Sequence, residues 1–227
     1  MIDQSTLRGR IIAAALKLAE ERPWKEVKLL DIAEASSVTL VDLKHEFSSK
    51  TEILSAFTRA VDDEVLRRAP KREAGASPRD ALFEILMTRF DVLGPYKRAL
   101  RSIAGEPRLP DPAFVCTIFA SQHWMLQAAG IDTSGVSGCM KVGGLAGVYA
   151  SVMRTWLEDD DPGLARTMAA LDRRLRRGER TLSNLEEVKF CFRRMGDVLA
   201  GCAPRRRPAG AGPGGGPRPE ETSGSGI

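Results

Sequence analysis

The stretch "DIAEASSVTLVDLKHEFSSKTEIL", residues 31–54, decides the fold. Ile32 and Ala33 belong to one apolar stripe, Val38 stands between Ser37 and Thr39, and Leu43 and Phe47 follow four residues apart. A four-residue spacing puts Leu43 and Phe47 on one face of a short helix. Val38 then plugs the turn between that helix and the one holding Ile32 and Ala33. The expectation is a helix over Leu29–Ala35, a turn, and a further helix starting after Thr39. Ser49 and Glu52 have the spacing of a capping box, in which each side chain satisfies a free backbone N–H at a helix start. The helix they open should reach about Ala69, before Pro70. Thr39, Asp42, Lys44 and Glu46 lie at or near the face left free, and two of them are acidic.

Working outward, helical periodicity dominates and no convincing strand alternation appears. Ile11, Ala14, Ala15 and Leu18 form one stripe, so a first helix is expected from about Thr6 to Glu21. "KREAGASP", residues 71–78, reads as a linker. Ser77 is a good N-cap and Pro78 sits at the tolerated first helical position, opening a helix to about Leu93. Gly94-Pro95 breaks it, and a short helix follows to Ala104. Asp111-Pro112 and Asp161-Pro162 repeat the cap-plus-proline device, predicting helices near 113–129 and 163–177. Between them runs an apolar segment from about Val136 to Leu157. Ser183 and Glu186 fit another capping box, opening a last helix to about Ala200. Residues 201–227, rich in Gly, Pro and Arg, cannot bury enough apolar surface to order themselves. The expected fold is all-α: a helix-turn-helix unit over 5–69, a larger helical body over 77–200 and a disordered tail over 201–227.

The bulk properties set limits. Of 227 residues, 43% are apolar and 28% charged, ordinary values for a soluble globular protein. No run approaches the ~20 uninterrupted apolar residues of a membrane span. "MIDQSTLRGR" lacks the basic-then-apolar layout of a secretory signal. Cys116, Cys139, Cys191 and Cys202 are scattered, and His45 and His123 are the only histidines. A zinc site is therefore not expected, and buried free thiols in a reducing cytoplasm are the plain reading. No nucleophile–base pair, phosphate loop or metal-ligand set emerges, so neither enzyme activity nor a cofactor is expected. Net charge is +4, but the tail holds four arginines against two glutamates. Residues 5–69 carry eleven basic and eleven acidic side chains, a net of zero. Non-specific duplex affinity comes mostly from phosphate neutralisation, so any DNA contact has to use a locally basic face.

The spacing of residues 7–57 resembles the TetR family of one-component bacterial regulators. Its spine corresponds to Ile32, Ala33, Val38, Leu43 and Phe47, followed by Ser49-Lys50 and a helix beginning around Glu52-Ile53-Leu54. The resemblance implies a homodimer that binds duplex DNA and answers to an apolar small ligand. It implies phosphate contacts by Lys44 and Lys50, positioning by Arg10 and Thr39, and Asp42 and His45 on the reading helix. An acidic side chain there can accept from cytosine N4. The family's usual turn glycine is Ser37 here, at a position that favours a left-handed backbone. Dimerisation is expected through the helices at 136–157 and 163–177, where Gly143 and Gly147 permit close approach.

"HWMLQAAGIDTSG" and "LAGVYASVMRTWLEDDDPGLARTMAALDRRL" resemble the body of the coenzyme Q biosynthesis lipid-binding accessory proteins, which share that fold. The positions are Trp124, Ala129, Gly130, Asp132, Leu145, Tyr149, Met153, Leu157, Asp159, Thr167 and 171–174. This resemblance implies a lipid ligand and, as an alternative role, partnership with a hydroxylase at a peripheral membrane site without DNA recognition. Under either resemblance Phe114, Ile118, Phe119, Met125, Met140, Met153 and Trp156 line an apolar cavity. Methionine and aromatic stripes at helical spacing are also commonly plain core, and both readings stay open at this point.

Overall fold

The computed structural model describes residues 1–69, 77–105 and 111–183, with side chains placed as far as 179. Nine α-helices follow one another with no strand among the described residues. They are α1 (Leu7–Glu21), α2 (Leu29–Ala35), α3 (Leu40–Glu46), α4 (Lys50–Arg68), α5 (Pro78–Leu93), α6 (Lys97–Ala104), α7 (Pro112–Ala128), α8 (Gly135–Leu157) and α9 (Ala165–Ser183). The helix expected after Ser183 and the tail lie outside the described residues.

Local chemistry explains the starts. The Thr6 hydroxyl accepts from Gly9 N at 3.0 Å, and Asp111 accepts from Ala113 N at 2.8 Å. Ser49 accepts from Glu52 N as expected. The return half of that box differs: Glu52 accepts from the backbone N–H and hydroxyl of Ser48, each at 2.8 Å, one residue earlier. Ser77 makes no capping bond, and Pro78 alone marks the start of α5. Asp161 caps a turn, accepting from Gly163 N and Ala165 N, so α9 begins at Ala165 rather than 163. Gly94-Pro95 does not end the helical path but tightens it into one 3-10 turn (Gly94–Tyr96) leading into α6.

The α2–α3 turn holds Ser37 at φ 55, left-handed backbone. An L-residue there is strained by about 1–2 kcal/mol, while glycine gives back about 0.5–1 kcal/mol as chain entropy. Ser37 is exposed, so Ser37→Gly should raise the unfolding free energy by about 0.5–1 kcal/mol. Urea denaturation checks this, and an unchanged midpoint would remove strain from the account of this turn.

Packing joins the helices into one continuous core, from Ile11, Ala15, Ile32, Leu43 and Phe47 through Phe57, Val61 and Val65 to Leu86, Phe90, Trp156 and Leu171. The long α4 links the halves, packing on α1 at one side and on α5 and α7 at the other. Inside this apolar core lies a charged cluster. Arg89, 2% exposed, donates Nε to the Tyr149 hydroxyl at 3.0 Å and pairs through Nη1 with Asp62. Ser121 donates to the same Asp62 oxygen at 2.8 Å. Burial alone would lower the guanidinium pKa, but Tyr149 and Asp62 more than offset it and the pKa is raised. Phe90 stacks on Tyr149 and packs at a tilt against Trp156 beside the cluster.

The 23-residue α8 is long and apolar enough in composition to cross a bilayer. Here Met140, Val142, Leu145, Val152 and Trp156 are buried against the neighbouring helices, while Val136 at its start is exposed. Cys139 is exposed rather than buried, and Cys116 is disulfide-bonded rather than free. Cys191 and Cys202 lie outside the described residues.

Candidate nucleic-acid interface

The acidic side chains of α3 have structural employment. Thr39 is the N-cap, its hydroxyl accepting from Asp42 N at 3.1 Å. Asp42 turns back and accepts from the Thr39 hydroxyl at 2.7 Å and from Thr39 N at 3.3 Å, a complete capping box. Those two bonds, the hydroxyl first, hold the Asp42 carboxyl below its ordinary pKa. Glu46 pairs at 3.3 Å with Arg8 of α1. The Arg8 guanidinium also lies 4.3 Å from the centre of the Phe47 ring. One acid therefore caps its own helix, and the other pins the helix to α1.

What remains outward is a different set. At ~100° per residue, Leu40, Lys44, Val41 and His45 span one sector of α3, with Val41 and His45 farthest from the buried Leu43 and Leu40 at the edge beside it. All four are exposed, Leu40 at 48% and Val41 at 62%. Leu40 and Val41 are not among the residues that sequence singles out, because apolar residues in a helix are taken for core until a structure shows which face they occupy. Arg10 is exposed on α1.

Lys50, at the first position of α4, is anchored. Its ammonium donates to the Trp24 carbonyl at 2.7 Å and sits 4.5 Å from the centre of the Trp24 ring. Trp24 heads a 3-10 turn (Trp24–Glu26) after Pro23 and is itself buried. Its backbone N–H donates to the Ser102 hydroxyl of α6 at 3.1 Å, and Ser102 donates in turn to the Arg22 carbonyl at 3.3 Å. One contact of the helical body with the head, the Ser102 hydroxyl, thus lies beside the Lys50 anchor.

The seven ligand candidates divide. Met125, Met140 and Trp156 are buried, and Trp156 packs on Phe90 with the Lys97 ammonium 5.1 Å from its ring centre. Phe114, Ile118, Phe119 and Met153 are half-buried. None of the seven lines the groove of about 300 Å³ between α5 and α9, which is bounded by Arg79, Asp80, Phe83, Glu84, Asp172, Leu175 and Arg176. A polar residue on the inner face of α7 stands out instead. Gln122 is 0% exposed, on the same helical stripe as Met125, Leu126 and Ala129, and neither its amide oxygen nor its nitrogen has a hydrogen-bond partner. The only sign of it in the sequence is a polar residue on an apolar face.

Several positions behind the coenzyme Q resemblance hold the body together. Tyr149 accepts from Arg89, and Asp159 accepts from Thr167 N and its hydroxyl at 2.8 and 2.7 Å. Trp124 is exposed. Among the described residues no group of three or more His, Cys, Asp or Glu is placed to hold a metal ion.

Residues 11–57 match the sequence family described as "Bacterial regulatory proteins, tetR family". No curated protein matches the chain. Among solved structures, a TetR transcriptional regulator from Nitrosomonas europaea ATCC 19718 is similar, with a TM-score of 0.59 and 22% identity over 77% of this chain and 98% of that one. A TetR transcriptional regulator from Rhodococcus sp. RHA1 gives 0.56 and 21% over 78% and 97%. At such identities the likeness is one of fold. The chain therefore carries a tetR-family N-terminal domain, α1 to the start of α4, heading an all-α body with the fold of those regulators.

Proposed function

We propose that the protein is a homodimeric DNA-binding transcriptional regulator that responds to an apolar small ligand. The observation that carries this reading is the outward face of α3. With Asp42 and Glu46 internally satisfied, the face offered to a groove is free of unpaired carboxylate and contains Lys44 and His45. Phosphates are met by Lys44, with Arg10 alongside, while Thr39 and Asp42 contribute by fixing the helix start. Lys50 reaches the backbone only by leaving, or sharing, its Trp24 anchor.

That difference gives the test, with a duplex from the promoter of the protein's own gene. Lys44→Ala should reduce the slope of log affinity against log salt by about one for each phosphate no longer neutralised, so about two in a symmetric dimer. Its thermal midpoint should not move, because Lys44 is exposed. Lys50→Ala should weaken binding similarly and also cost about 1–2 kcal/mol of stability, by removing the carbonyl bond and the ring interaction. Unchanged affinity and slope in both variants would sink the DNA assignment.

Dimerisation is assigned to α8 and α9. Of the expected pair, Gly143 is half-buried and Gly147 is exposed on α8; an added Cβ at Gly147, or at the exposed Gly144, meets nothing within 4 Å. A side chain there fits the single chain but intrudes on a closely packed sister helix. Gly147→Glu should therefore convert a dimer to a folded monomer in light scattering at micromolar concentration. A monomeric parent protein would overturn the assignment.

The ligand belongs to the interior of the body, and Gln122 supports it: an unpaired buried amide suits one polar group on an otherwise apolar molecule. Nothing in the contacts of Tyr149, Asp159 or Thr167 favours the lipid-accessory role over this one. Native mass spectrometry should show an apolar adduct that releases the promoter duplex. An adduct without effect on DNA would reverse that preference.

A further inference from the structure

We infer that this protein reads its operator through thymine methyl groups, using Val41 and Leu40 as an apolar contact surface on α3. The inference rests on the DNA-binding reading above and specifies its chemistry. Two large apolar side chains, 62% and 48% exposed, share the sector that carries Lys44 and His45, Val41 between those two and Leu40 at the edge beside Lys44. Neither belongs to the core that Leu43 and Phe47 complete. Apart from Lys44 and His45, the polar side chains of α3 and its cap are already engaged. Thr39 and Asp42 are bonded to each other, and Glu46 is held by Arg8. The major groove offers one apolar feature to such a surface, the C5 methyl of thymine. A basic residue one turn on, Lys44 against Leu40, supplies the complementary charge that brings the groove's phosphates to this face. The occupant is thus a duplex whose half-site presents thymine methyls beneath Val41 and Leu40.

Burying one methyl is worth about 0.8 kcal/mol, which is about a fourfold change in affinity per contacted thymine. The experiment uses the full chain in two stages. First, a library of randomised duplexes is selected on the protein and the enriched duplex is identified. Second, each thymine of that duplex is replaced singly by deoxyuridine, which removes the methyl and keeps the pairing. At one or two positions per half-site uracil should weaken binding about fourfold. In Val41→Ala and in the Leu40→Ala/Val41→Ala double variant that penalty should fall towards none. Both positions are on the surface, so the variants should keep the parent's thermal midpoint. An enriched duplex indifferent to uracil would overturn this inference and leave the DNA-binding reading standing. A uracil penalty unchanged in both variants would also overturn it, by assigning the methyl contact elsewhere. Failure to enrich any sequence with folded, dimeric protein would overturn both.

Discussion

Arg89→Met should destabilise the protein by about 3–5 kcal/mol, the loss typical of stripping one partner from a buried ion pair. The substitution leaves the Asp62 carboxylate inside the core with only the Ser121 hydroxyl at 2.8 Å, and it leaves the Tyr149 hydroxyl without its donor. The cost comes from the stranded charge more than from the absent bonds. Removing both charges should therefore recover much of the loss, because apolar replacements of a buried pair are often close to neutral. Urea denaturation of Arg89→Met, Asp62→Leu and the double variant forms the cycle. A single-variant loss below about 1 kcal/mol would show that water reaches the carboxylate and that the cluster is not a sealed part of the core. Because the pair ties α4 to α5 and, through Tyr149, to α8, the variant should also shift the head relative to the body.

Gln122→Met should have the opposite sign. Methionine matches glutamine in length and shape but brings no amide. An unsatisfied buried polar group costs about 1–3 kcal/mol, so the ligand-free protein should gain stability of that order. The same change should remove the apolar adduct from the native mass spectrum, or weaken its retention at least tenfold. A more stable protein that still holds its adduct would separate Gln122 from ligand recognition. A less stable one would mean that the amide already has a partner such as an ordered water, and the account of an amide held ready for a ligand would fail.

The helix-turn-helix is legible because its determinants are local. Ile32, Val38, Leu43 and Phe47 fall within sixteen residues, and their spacing alone places them on facing surfaces. The left-handed turn at Ser37 is legible only through the family resemblance, whose usual residue there is glycine. The role of Asp42 is also written locally, since Thr39-x-x-Asp42 has the spacing of a helix-start box. Taken as a charge on a groove-facing helix, it suggests repulsion; its geometry instead removes it from that face. Glu46 is not legible, because its partner Arg8 lies 38 residues away. The same holds for Arg89 with Asp62 and Tyr149, and for Lys50 with Trp24. Sequence periodicity says that a helix has an inner face but not what lies across from it, and for that reason Leu40 and Val41 carry no mark in the sequence. At Trp156 and Met125, expected as ligand lining, both readings predict apolar residues at helical spacing, and only the packing distinguishes them.

Ser102 is one latch between the body and the head, beside the packing of α4 on α5 and α7. Its hydroxyl receives the Trp24 N–H and donates to the Arg22 carbonyl, and Trp24 in turn seats the Lys50 ammonium. Displacing α6 along α1 severs both bonds before it disturbs the lysine. Two such bonds are together worth about 1–3 kcal/mol, so this latch can transmit no more than that between an occupied interior and the head. A coupling of that size corresponds to about 5–150-fold in affinity. The latch is thus weak enough for a small molecule to trip, yet strong enough that thermal motion alone leaves it closed most of the time.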